Sequence, residues 1–91
     1  MTFEWDENKR RSNIQKHKID FFDVPIVFGK PMLIDYDHRQ EYNEERWIGI
    51  GVLRNIVVVV IFTERDNNVI RIISARKANR DEQKRYYREV I

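Results

Sequence analysis

An α+β domain is what this sequence predicts, with two helices at the start, an antiparallel four-stranded sheet, and a last helix. Three observations lead there. A polar, capped segment opens the chain, and a second capped helical segment closes it. Between them, residues 32–76 hold short runs of β-branched and aromatic residues divided by turn residues. The links between these runs are short, which favours an antiparallel meander over parallel crossovers. The 91 residues read as one domain, 1–91, with room for one modest core.

Each element has a local reason. Asp6 is placed to cap a helix over residues 7–18, because its short side chain accepts from exposed backbone N–H groups. Ile14 is the one large aliphatic residue there, and Phe3 and Trp5 stand ahead of the cap as anchors of the entry. A second short helix fits residues 21–28, capped by Asp20 or Asp23 and stopped by Gly29 and Pro31. With Asp20 as cap, Pro25 removes one helical hydrogen bond; with Asp23 it falls harmlessly in the first turn.

Residues 32–36 form a first short strand, followed by a polar loop. Residues 46–53 alternate, with Arg46, Ile48, Ile50 and Val52 on one face and Trp47, Gly49, Gly51 and Leu53 on the other. Residues 56–62 are apolar throughout, as in a central strand covered on both faces. Arg54 and Asn55 allow a tight hairpin, and Asp66, Asn67 and Asn68 make the next turn. In the strand over 69–76, strict alternation puts Arg71 with Val69 and Ile73, and Arg76 on the opposite face with Ile72 and Ser74. Asn79 opens the last helix with Glu82 three residues on, the spacing of a capping box.

Composition excludes several classes. With 42% hydrophobic and 35% charged residues the chain is globular rather than disordered, and without cysteine it has no disulfide framework or thiolate metal site. The acidic start has no apolar signal-peptide core, and the longest apolar run is seven residues, so the expectation is a cytoplasmic protein without a membrane segment. Net charge is +2, but the bases cluster. Lys9, Arg10, Arg11, Lys16 and Lys18 share an acid-free stretch, and residues 71–88 hold seven bases against Asp81 and Glu82. Such clusters suit local binding of a polyanion, though they also suit solvated helix faces.

Among chemical motifs, Gly49 and Gly51 sit in a strand without the following helix that a phosphate loop needs. Residues 35–38 read as a polar loop rather than a metal cluster, and Ser12 and Ser74 have no partner base in sequence. No cofactor is called for. What remains is a set of cations at element ends. Arg71 either pairs with Glu64 or Glu45 or presents its fork to an anion. Arg76, followed by Lys77 and Arg80 near the start of the last helix, is a better phosphate contact, the alternative being a helix-entry charge. Lys16 and His17 close the first helix, as dipole partners or as phosphate contact and proton carrier. Glu64 and Arg65 fall where a strand meets its turn, and of Tyr86 and Tyr87 one packs on the sheet while the other can stack on a base.

The order of these segments resembles the BrnT family of bacterial type II toxins over nearly the whole chain. The resemblance lies in Phe3-Glu4-Trp5-Asp6, Lys16-His17, residues 23–28, the Glu45 to Gly51 strand, Thr63-Glu64-Arg65, residues 70–78, Glu82 and Tyr86. Pro25 departs from the family's uninterrupted short helix. The resemblance implies a RelE-like ribonuclease fold, an RNA substrate, and neutralisation by a BrnA-like ribbon–helix–helix antitoxin, with operator DNA met only through their complex. For such a reaction, Arg71, Arg76 and Arg80 are the candidates to hold phosphoryl oxygens, Glu64 or His17 to move protons, and Lys16 to contact phosphate. Arg65, Lys77, Tyr86 and Tyr87 are the candidate RNA contacts. The alternative is a non-catalytic module of the same fold that acts only by binding.

Overall fold

The structure is a computed structural model that describes residues 1–39, 41, 43–66 and 68–90. Asn67, part of the expected turn, lies outside the described residues. The element order is β1 (Thr2–Trp5), α1 (Glu7–His17), a 3₁₀ helix (Phe21–Gly29), β2 (Leu33–Tyr36), β3 (Trp47–Leu53), β4 (Ile56–Arg65), β5 (Val69–Lys77) and α2 (Arg80–Glu89). The five strands form one sheet in the order β1-β5-β4-β3-β2. β2 through β5 make the expected antiparallel meander, whereas β1 joins β5 in parallel.

That fifth strand corrects the four-stranded expectation. Phe3 and Trp5, expected only to anchor the entry of the first helix, belong to a strand of four residues, too few for alternation to declare itself in the sequence. Its residues do alternate: Phe3 and Trp5 pack into the core, while Glu4 turns to the other face beside Arg71. Thr2 N–H also donates to the Asn68 carbonyl, at 2.9 Å.

The second helix is of another kind than expected. It is a 3₁₀ helix capped by Asp20, whose side chain accepts from Phe22 N–H. A 3₁₀ helix has about three residues per turn, so residues at i, i+3 and i+6 fall on one line. Phe21, Val24 and Val27 occupy that line, and each is completely buried. The apolar spacing therefore selects the tighter helix, and Pro25 is accommodated within it.

The sheet separates two cores. On one side, the 3₁₀ helix packs against Leu53, Val58, Val60, Phe62 and Ile72, and Phe28 meets both Phe3 and Phe62 edge-on at 5.2 and 5.0 Å. Gly51 permits this closeness, since a Cβ there would stand 2.6 Å from Val27 Cγ1. On the other side, Ile50, Val57, Val59 and Ile61 are covered by Ala78 and Tyr86 at and within the last helix. β4 is thus apolar on both faces because both faces are covered, as expected.

α1 buries Asn13 rather than the expected Ile14, which is only half-buried. The Asn13 amide donates to the Ile19 and Ala75 carbonyls, both at 2.9 Å, and accepts from Ala75 N–H at 3.0 Å. β1 pairs with β5 only as far as Ile72, so Asn13 takes over the next stretch of strand edge. Replacing it leaves three buried backbone groups unpaired. Asn13→Ala should lower unfolding stability by about 2–4 kcal/mol, measured by denaturant titration; a loss under about 0.5 kcal/mol would show that water substitutes for the amide.

Candidate functional site

β5 carries the feature that assembles the site. Opposite β4, Ile61 pairs with Ser74 but Phe62 pairs with Ile72, so Ile73 is an extra residue, a β-bulge. Residues five apart on a regular strand face opposite ways. The bulge cancels that, and Arg71 (opposite Thr63) and Arg76 (opposite Val59) lie on the same face of the sheet. The sequence-based expectation of opposite faces is therefore corrected.

Each arginine is held by a carboxylate, and for Arg71 it is neither of the two that the sequence suggests. Arg71 pairs with Glu4 across the parallel β1–β5 contact at 2.8 Å, and Arg65 reaches the same oxygen at 2.9 Å. These hydrogen bonds, led by that from Arg71, hold the Glu4 carboxyl below its ordinary range. Neither Glu64 nor Glu45 is the partner, because the strand bearing Glu4 was not foreseen. Arg76 makes a two-pronged contact with Glu82, both bonds at 2.8 Å. Glu82 also accepts from Asn79 N–H at 2.8 Å while Asn79 accepts from Glu82 N–H, which completes the expected capping box.

The lower turns of α1 form a second wall. Asn13 fixes the helix against β5, and Lys9, Ser12, Lys16 and His17 then surround a hollow of roughly 220 Å³ floored by Ile73 and Ser74. Among the described residues no carboxylate lines this hollow. Ser74 shares the sheet face of Arg71 and Arg76, so the bulge is common ground to the basic hollow and the arginines. The sequence shows Lys9 only as part of a basic cluster, and Ser12 and Ser74 only as serines without a partner base, so none of the three is expected at the site. A period of about 3.6 residues linking Lys9, Ser12 and Lys16 on one helix face could have grouped the first two.

Other expected residues lie apart. Glu64 stands level with Ile70, five β4 residues from the Val59–Arg76 pair, or about 17 Å along the strand. Glu64 and Arg65 line a different hollow of roughly 430 Å³ with Glu44, Glu45 and Trp47. Arg80 is exposed in the first turn of α2, near Arg76 in sequence, and Lys77 is exposed on the opposite face of β5. Tyr86 is the packed tyrosine: it is buried, its hydroxyl donates to the Pro31 carbonyl at 2.8 Å, and burial raises its pKa. Tyr87 is the exposed one.

The sequence model of the BrnT family, described as the ribonuclease toxin of a type II toxin–antitoxin system, matches residues 5–82. The chain belongs to that family. The crystal structure of the Brucella abortus ribonuclease toxin BrnT superposes with a TM-score of 0.66 at 29% identity, covering 88% of this chain and 99% of that one. No curated protein matches the chain. BrnT membership places it among ribonuclease toxins and implies an antitoxin partner. The BrnT match contains Lys16, His17, Arg71, Arg76, Arg80 and Glu82 and ends before the tyrosine pair. Among the described residues no helix is long and apolar enough to cross a membrane.

Glu82 gives the site a pH signature. The Arg76 fork, with Asn79 N–H in support, holds its carboxyl below the ordinary value of 4.5, although partial burial opposes this. A carboxyl depressed by folding adds stability that is present above the unfolded pKa and lost as pH falls through the folded one. Glu82→Gln, which keeps the capping box, should therefore lower stability at neutral pH by up to about 1 kcal/mol and flatten the loss below pH 4.5. Thermal melts across the acid range check this; an unchanged acid limb would assign that loss to other carboxylates.

Proposed function

We propose that the chain is an endoribonuclease toxin that cleaves RNA without a metal ion, halts translation and growth, and is neutralised by a BrnA-like ribbon–helix–helix antitoxin. The β-bulge at Ile73 carries the reading, because it gathers Arg71, Arg76 and Ser74 onto one face beside the acid-free hollow of Lys9, Lys16 and His17. Operator DNA would be met only through the toxin–antitoxin complex, and the fold would be RelE-like.

RNA cleavage from within the chain needs a base for the 2′-hydroxyl, cations around the phosphoryl group, and a proton for the leaving oxygen. His17 is the imidazole at the hollow and can accept or donate a proton there. Lys16 beside it offers ammonium protons to a phosphate oxygen or to the leaving group. Arg76 is held charged, its pKa raised chiefly by Glu82. Its fork already grips a planar oxyanion, the Glu82 carboxylate, and a phosphate makes the same geometric demand. Arg71, farther along the same face, and Arg80, in the first turn of α2, would add positive charge for the rest of the RNA backbone. Together these cations supply the transition-state stabilisation that a metal supplies elsewhere. Glu64, distant along the sheet, is better suited to an RNA contact or a structural role than to proton transfer at Arg76.

Arg76→Ala should abolish growth arrest on induced expression and cut RNA cleavage by the purified protein at least about 100-fold, with the unfolding transition retained. Persisting toxicity at equal expression would remove Arg76 from the mechanism, and intact RNA with the unaltered protein would favour the binding-module alternative. Cleavage should also continue in excess chelator. Loss on chelation and recovery with added magnesium would overturn metal independence.

A further inference from the structure

α2 has two flanks with different chemistry. At about 3.6 residues per turn, Glu82, Arg85 and Glu89 share one flank, Gln83, Tyr87 and Val90 share the other, and Tyr86 points between them to the sheet. The first flank is ionic: Glu82 holds Arg76, and Arg85 holds Asp35 of β2 at 2.7 Å. The second borders an open groove of roughly 350 Å³ between α2 and the β3–β4 turn. Pro31, Val52, Tyr86 and Val90 give it an apolar floor, and Lys30 and Arg54 stand at its rim. Beyond Tyr87 the groove continues into a hollow of roughly 170 Å³ that includes Lys77. Among the described residues no carboxylate lines either part, and at the rim Arg54 reaches Asp23 at 3.4 Å. The Tyr86–Pro31 hydrogen bond ties the floor together, so the groove is formed in advance of any ligand.

We propose that this groove seats an acidic, amphipathic segment of the antitoxin, which inserts a bulky apolar side chain over Val52 and Val90 and sets its carboxylates on Lys30 and Arg54. The inference rests on the toxin reading above. Charge complementarity selects an acidic ligand, and the aliphatic floor selects a peptide over RNA. Tyr86 and Tyr87 also line the groove, but their rings meet edge-on at 77° and form no parallel slot for a nucleobase, so Pro31, Val52 and Val90 favour an apolar peptide side chain there. The groove lies on the flank of α2 away from the Arg76–Glu82 pair, so it is an anchoring site separate from the candidate catalytic face.

The probe is the antitoxin encoded by the reading frame next to the toxin gene, purified and titrated into the intact toxin by calorimetry. The double substitution Lys30→Glu and Arg54→Glu alters two exposed side chains outside the candidate catalytic set. It should weaken binding by about 30-fold or more and release growth arrest from neutralisation, while RNA cleavage stays within about two-fold of the unaltered protein. Lys30→Glu alone repeats the measurement if the double variant does not fold. Unchanged affinity, or no binding by the unaltered toxin, overturns the proposal. So does lost cleavage with retained binding, which would make the groove an RNA site. If the unaltered toxin binds its antitoxin yet cleaves nothing, the ribonuclease reading fails while the calorimetric comparison still decides the docking site.

Discussion

One side-chain amide, that of Asn13, determines how the helical and strand parts of this protein meet. β5 has an edge that β1 covers only to Ile72, and a bare backbone edge beyond that point would be costly to bury. Asn13 presents a donor and an acceptor to Ala75, as a neighbouring strand would, and holds the 3₁₀-helix entry through Ile19. α1 has little apolar surface to bury, so its seat comes from this polar bridge and from Arg10, which grips Asp20 with two bonds at 2.9 and 3.1 Å. The hollow of Lys9, Lys16 and His17 exists because the helix is seated there, directly over the bulge.

α2 is attached by a different balance. Its ion pairs with Arg76 and Asp35 involve partly exposed groups, and such pairs contribute at most about 1 kcal/mol each. Tyr86 and Val90 supply the apolar contact, which gives a single aromatic residue most of the burial. The pairs therefore fix orientation more than they stabilise. Arg76 and Arg85 set the angle at which α2 crosses the sheet, and with it the shape of both flanks.

What could be read from sequence was what local chemistry decides. The Asp6 cap, the Asn79–Glu82 box, the two faces of β3 and the doubly covered β4 all follow from neighbours within a few residues, and each is present. What escaped is non-local or short. β1 has only four residues, and its partner lies at the far end of the chain. The 3₁₀ helix has a period of three that an α-helical pattern absorbs unnoticed. The bulge has no residue signature in Ile72, Ile73 and Ser74, since only the register against β4 reveals it. The candidate site suffers most from this. Arg71, Arg76, Lys16 and His17 were visible one by one, but their shared face depends on the bulge, and the partners Glu4 and Glu82 depend on pairings that alternation alone does not give.

The parallel β1–β5 pair has a consequence for synthesis. Thr2 is synthesised well before its register partner Val69, so this pairing must close the long loop between them. Closing so long a loop is entropically unfavourable until later contacts reward it. A ribosome producing this protein therefore holds an incomplete sheet until the β5 segment emerges, and Arg71 and Arg76 arrive in that same segment. The candidate catalytic face consequently cannot form before β5 has been made, and chains abandoned before β5 lack it altogether.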